Sequence, residues 1–234
     1  MPAIWISVVG RCEIHLGRSR IKPESAVFFG LLLYLGLRPG VRVTREELLE
    51  LLWPGSPEQA RRHSLRQLLY RIRRAEVPLE LDGPEVVLDG ANVHSDLAAL
   101  FDDAWADTVA VEDVPSPLSL FAGYRHSLGP AFAAWVDGVR EDACVAIRKA
   151  CMRHISEGRR EGRWPDVETV ARIAIVCDPM NETAHMALAE ATHMAGAKAE
   201  ALRVLDTYLW ELGDTGGHVG RDARVLRNRI SEQP

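Results

Sequence analysis

The sequence predicts a mainly α protein with a small β portion: an N-terminal winged helix-turn-helix followed by an all-α, tetratricopeptide-like helical domain. Three observations carry this. Ser56 to Ala75, SPEQARRHSLRQLLYRIRRA, reads as one amphipathic helix loaded with Arg. A second helix pattern precedes it across a short Pro-Gly turn, and a hairpin pattern follows it. From residue 96 onward strands stop, and two glycines that close helices, Gly162 and Gly196, stand 34 residues apart, the period of a tetratricopeptide repeat.

In chain order, Ala3–Val9 and Arg11–His15 are β-rich runs separated by Gly10. A turn at Leu16–Ser19 leads to Arg20-Ile21, giving a small antiparallel sheet. Pro23 suits a first helical turn, and Glu24–Leu37 carries an apolar face through Val27, Leu31, Tyr34 and Leu35 until Arg38-Pro39-Gly40 stops it. Thr44 with Glu47 three residues later is a capping box that opens a helix through Leu48, Leu49, Leu51 and Leu52 to Trp53. Pro54-Gly55 breaks that helix and Ser56 is the expected cap of the next.

On that next helix Leu65, Leu68, Leu69 and Ile72 follow the i, i+3, i+4, i+7 spacing of a core-facing stripe. Opposite them lie Gln59, His63, Gln67, Tyr70 and Arg74, with Arg66 and Arg71 on the flanks. Six Arg face one acid, Glu58, so the segment carries +5 in a chain of net charge −5. An Arg-rich helical face is commonly just a solvated one. Here it is the second helix of a helix-turn-helix, where such charge meets a polyanion. Val77–Leu81, a turn at Asp82–Glu85, and Val86–Leu88 form the hairpin, the wing.

Asp102–Ser119 is acidic and Pro-containing, and reads partly as helix end and partly as connector. Beyond Gly162 and Gly196 the next helices are expected at Val167–Val176 and Ala199–Leu212, with a last helix at Asp222–Ile230. Pro179 lies 17 beyond Gly162, where such a repeat places its closing proline. Leu188, Ala189, Gly196, Ala201, Leu205 and Tyr208 occupy the spaced small and large positions that let paired helices nest. Trp53 and Trp135 are expected core anchors. His185 and His193 read as solvated or packed.

The composition, 47 % hydrophobic and 26 % charged, is that of a soluble globular protein; no apolar run reaches the 18 residues of a membrane span and no secretory signal is evident, which points to the cytoplasm. The four Cys form no CxxC pair. Cys144 and Cys151 read as small packed hydrophobes, and a Cys151/His154 pair lacks the partners of a metal site. No cofactor is expected. The sequence has no G-x-S-x-G elbow, HExxH or phosphate loop, so no enzyme class is indicated.

The order of parts resembles a known family. The N-terminal sheet, three helices and wing look like the OmpR-type winged helix. The strings VVGRCEIHLGRSRI, TREELLELLWPGSPEQARRHSLRQLLYRIRRA and VHSDLAALF look more closely like bacterial activators of the Streptomyces antibiotic regulatory protein (SARP) type. This chain has Ile72-Arg73-Arg74 where those have leucine-arginine-arginine. It has Val93-His94-Ser95-Asp96, with Phe101 five beyond, at their VD-x-x-x-F element. GPAFAAWVDGVRE, with Trp135 and Arg140, the run Asp178-Pro179-Met180 with Glu182, and Leu212-Gly213 look like the bacterial transcriptional activator domain of the same regulators. Asp214-Thr215-Gly216-Gly217 departs from the usual tail.

The resemblance implies a winged-helix DNA-binding domain over residues 1–92 and the activator domain over 93–234. It implies double-stranded DNA and RNA polymerase as partners, no membrane, and head-to-tail protomers on promoter direct repeats. The residues expected at DNA are Gln59, Arg62, His63, Arg66, Gln67, Tyr70, Arg71 and Arg74. The alternative is a winged helix that no longer reads DNA, joined to a protein-binding scaffold. The acidic hairpin turn and the net negative charge favour it.

Overall fold

A computed structural model describes residues 3–21, 26–125, 128–213 and 220–232. It opens with strands β1 (Ile4–Ser7), β2 (Glu13–Leu16) and β3 (Ser19–Ile21), followed by helix α1 (Ala26–Gly36). The proposed helix start at Pro23-Glu24 lies outside the described residues. Strand β4 (Val43–Thr44) leads into α2 (Arg45–Leu52), then α3 (Glu58–Arg74). Next come the hairpin β5 (Leu79–Asp82) and β6 (Glu85–Leu88), strand β7 (Val93–Ser95) and two short helices, α4 (Asp96–Leu100) and α5 (Trp105–Thr108). Five helices complete the described residues: α6 (Pro130–Glu161), α7 (Trp164–Cys177), α8 (Glu182–Met194), α9 (Lys198–Leu212) and α10 (Arg221–Glu232). Among the described residues no helix is long and apolar enough to cross a membrane.

Contacts group the chain into two compact units, residues 1–101 with 118–142, and 102–117 with 143–234. Neither is one continuous stretch, so this geometric grouping differs from a cut of the chain at 92/93.

In the first unit the expected antiparallel sheet gains a fourth strand, in the order β3-β2-β1-β7, with β7 running parallel to β1. A second sheet, β4-β6-β5, joins the hairpin to the residues just before α2. Helix α1 was expected to bury one face. Instead every residue from Phe28 to Gly36 is buried, because sheet strands, α2 and the start of α6 all pack around it. Tyr34 meets Trp135 edge-on at 4.8 Å and Phe29 meets Tyr124 at 5.2 Å. Trp53 and Trp135 are half-buried, not fully enclosed: Trp53 caps α2 where the chain leaves the helix, and Trp135 lies on the flank of α6 beside Tyr34 and Phe132.

Local signals explain most helix ends. The Thr44 hydroxyl accepts the Glu47 N–H at 3.1 Å, half of the expected box. The Glu47 carboxylate turns away to Tyr34 and Arg38. Ser56 does not cap α3: Pro57 occupies that position and makes no side-chain cap bond. The hairpin turn is tighter than expected, since Asp82 and Glu85 are paired across it and only Gly83-Pro84 form the connection.

In the second unit α6 and α8 end in the same way. Gly162 and Gly196 take left-handed backbone, φ +71 and +85. The following N–H then reaches back to the carbonyls of Gly158 and Thr192, at 2.9 and 3.1 Å, which satisfies carbonyls the helix end would orphan. At Gly158 a Cβ would stand 2.6 Å from Val167 Cγ2, so α7 can fold back closely on α6. Ala189, Ala201, Leu205, Tyr208, Ala223, Leu226 and Ile230 join α8, α9 and α10 in one core. His185, buried, stacks on Tyr208 at 4.5 Å and bonds the Pro179 carbonyl at 2.9 Å.

The acidic segment after residue 101 is held in this unit by α6. Arg153 donates to the carbonyls of Ala106 and Val109 at 2.9 and 2.6 Å, and His154 Nε2 lies 3.0 Å from the same Val109 carbonyl. Cys151 is buried, which pushes its thiol up to about 12. Among the described residues no group of three or more His, Cys, Asp or Glu could hold a metal ion. The Asp214–Gly217 departure lies outside the described residues.

Candidate nucleic-acid interface

Helix α3 owes its position to four side chains. Leu65, Leu68, Leu69 and Ile72 are each 5 % exposed or less, and burial of each contributes about 1.5–3 kcal/mol over leaving it in water. With that stripe inward, Gln59, Arg62, His63, Arg66, Gln67, Tyr70, Arg71 and Arg74 are all exposed. Tyr70, an aromatic ring 63 % exposed at the middle of the row, is the least expected of them on packing grounds alone.

Five of the eight, His63, Arg66, Gln67, Tyr70 and Arg71, line one shallow depression of about 570 Å³. His63 and Gln67, one turn apart, are joined by a 2.8 Å hydrogen bond between Nε2 atoms. The Arg71 guanidinium lies 5.4 Å from the centre of the Phe28 ring, which steers it toward α1. Arg62, Arg66, Tyr70 and Arg74 also line a deeper groove of about 740 Å³ between α2, α3 and the hairpin, floored by Leu49, Leu65, Leu69 and Leu81. Arg66 and Tyr70 form the ridge shared by the two depressions. Gln59 lines neither and stands alone in the first turn.

The charges are unequally committed. Arg62 pairs with Glu58 at 2.6 Å, both side chains more than half exposed, so the pair holds the Arg only weakly. Arg61 is tied to Glu50 of α2 and is turned to bracing instead of display. Among the described residues Arg66, Arg73 and Arg74 have no carboxylate within ion-pair distance.

Two residues that the reading of α3 alone left out belong to the same groove. Arg73 was counted in the helix charge without a role. Arg45, the first residue of α2, reaches the groove from the other side. Its backbone N–H donates to the Pro84 carbonyl of the hairpin at 2.9 Å, and its Nε is buried without a hydrogen-bond partner. Only the pairing of β4 with β6 brings α2 and the hairpin together, so no spacing along the chain could have revealed it. The acidic hairpin tip is not bare. Arg42 Nη1 lies 2.6 Å from Glu85 and 3.1 Å from Asp82.

Such a surface, Arg-rich and carrying amide, imidazole and phenol groups between the guanidiniums, offers groups of the kind that bond phosphates and base edges. A family model, bacterial transcriptional activator domain, matches residues 96–230. No curated protein matches the chain. Among solved structures it is similar to Mycobacterium tuberculosis EmbR, determined in complex with a low-affinity phosphopeptide, with a TM-score of 0.66 and 17 % identity. The alignment covers 100 % of this chain and 66 % of that one, so this chain spans about two thirds of its length.

Proposed function

The chain belongs to the bacterial transcriptional activator domain family, and on that premise we propose that it is a SARP-type transcriptional regulator that reads promoter DNA through α3 and activates transcription by recruiting RNA polymerase. Residues 1–92 are the DNA-binding part in this reading and residues 93–234 the activator part. Helix α3 enters the major groove. His63, Arg66, Gln67 and Tyr70 face base edges, with Gln59 at the entering end. Arg62, Arg71 and Arg74 hold phosphates. Protomers bind head to tail on direct repeats, an arrangement that needs no two-fold symmetric dimer in solution.

The observation that supports this best is the exposed row along α3, with Arg66 at its centre free of any carboxylate among the described residues. On an acidic protein such a row is the surface best suited to meet a polyanion.

The test is binding of the purified protein to fragments of its own gene neighbourhood at two salt concentrations, beside an Arg66→Ala/Gln67→Ala variant. Selective retardation that the variant loses, with affinity falling steeply as salt rises, supports DNA reading by α3. Absence of selective binding at low salt would transfer the assignment to a protein-binding scaffold.

A further inference from the structure

The helical unit carries a concavity unrelated to α3. It measures about 550 Å³, within the range of about 300–1,000 Å³ usual for small-molecule sites. Its apolar walls are Trp164 at the start of α7, Met186 and Met194 on one face of α8, and Leu226 of α10. Met194 is 58 % exposed in spite of its apolar side chain. Methionine adapts its shape to varied ligands at little cost.

Three charged groups converge there, Arg159 from the last turns of α6, Arg229 of α10 and Glu190 of α8. Arg159 Nε lies 2.7 Å from Glu190 Oε2, and Arg229 Nη2 lies 3.6 Å from Oε1. Neither contact is complete. The Arg159 Nε hydrogen is out of line for a bond to Glu190, and its Nη2 is buried with no hydrogen-bond partner. Arg229 is 64 % exposed and loosely held. Among the described residues two guanidiniums thus share one carboxylate, and the surplus is one positive charge with unused donors beside an apolar wall.

We propose that this concavity is a binding site for a small amphipathic carboxylic acid, whose carboxylate completes the charge balance between Arg159 and Arg229 and whose ring or alkyl body lies against Trp164, Met186 and Met194. A second carboxylate brings the cluster to neutrality and engages the idle Nη2, and guanidinium binds carboxylate through paired, charge-assisted hydrogen bonds. The site is independent of DNA reading by α3.

The experiment uses the full chain with its methionine methyl groups labelled; there are only five Met to resolve. A series of alkyl and aryl carboxylates from hexanoate to decanoate and from phenylacetate to phenylbutyrate is titrated, each beside its neutral amide. The expected result is saturable shifts of the Met186 and Met194 methyl signals by carboxylates and not by amides. Arg229→Gln should weaken that binding about tenfold, the loss of one charge-assisted contact. Glu190→Gln, which removes the competing carboxylate, should strengthen it. A general folding defect would weaken both. Shifts equal for acids and amides, no shifts across the series, or the same response from both variants would overturn the proposal.

Discussion

Both oxygens of the Asp96 carboxylate accept the backbone N–H of Val8, at 2.9 and 3.0 Å, and one of them also accepts that of Val9 at 3.0 Å. Strand β7 pairs with β1 as far as Ile6 and Ser95, so Asp96 falls beside the donors that follow the end of β1. Val8 is fully buried, and a buried donor without a partner is costly. The aspartate of the V-x-x-D element is therefore a clasp between the end of β1 and the start of α4. Asp96→Ala should lower stability by about 1–3 kcal/mol, and Asp96→Asn, which keeps an acceptor, by less. The midpoint of urea unfolding checks this, and an unchanged midpoint for Asp96→Ala would remove the clasp.

Arg42 offsets one of the two negative charges of the hairpin tip, and this bears on how close the wing can come to phosphates. Asp82→Asn/Glu85→Gln should strengthen binding to a duplex of random sequence a few fold at low salt, and Arg42→Ala should weaken it. Both effects should shrink as salt rises, because exposed charges are screened over about 8–10 Å at ordinary ionic strength. Fluorescence anisotropy with a labelled duplex measures them. Identical affinities for all three proteins would place the hairpin away from the DNA.

His154 is buried at 5 % exposure. Desolvation first, and the adjacent Arg153 second, hold its imidazole below the ordinary 6.5. The unfolded chain consequently takes up a proton at a higher pH than the folded one. The contribution of this group is complete above about pH 6.5 and is lost as pH falls from there toward the folded-state value. His154→Gln should flatten that part of the stability profile. Urea midpoints collected from pH 7.5 down to pH 5 for both proteins give the comparison, and parallel profiles would contradict it.

Much of the molecule is legible from residues near one another in the chain. The stripe Leu65, Leu68, Leu69 and Ile72 orients α3 and exposes its Arg-rich face, because a helix turns by a constant angle per residue. Thr44 opens α2, and Gly162 and Gly196 close α6 and α8, because capping is a matter of the adjacent turn. The resemblance to SARP-type regulators added the family and the identity of the second half, which no periodicity contains.

Other features exist only once distant segments meet. Strand β7 is three residues long and lies 86 or more residues from its neighbour β1. Strand β4 has two residues, too few to show alternation. The pairing of β4 with β6 delivers Arg45 to the groove beside α3 and brings Arg42 to the acids of the hairpin, while strands, α2 and the start of α6 together bury α1 on every side instead of one. The meeting of Arg159, Glu190 and Arg229 needs three helices packed together. Local sequence determined the long helices, the N-terminal strands, the hairpin and which face of α3 is charged, since those depend on side chains within a turn or two. Tertiary structure decided which charges of separate elements are neutralised, as in Arg42 with Asp82 and Glu85 or Arg61 with Glu50, since such pairs form between whatever groups the packing of the core brings within a few ångströms.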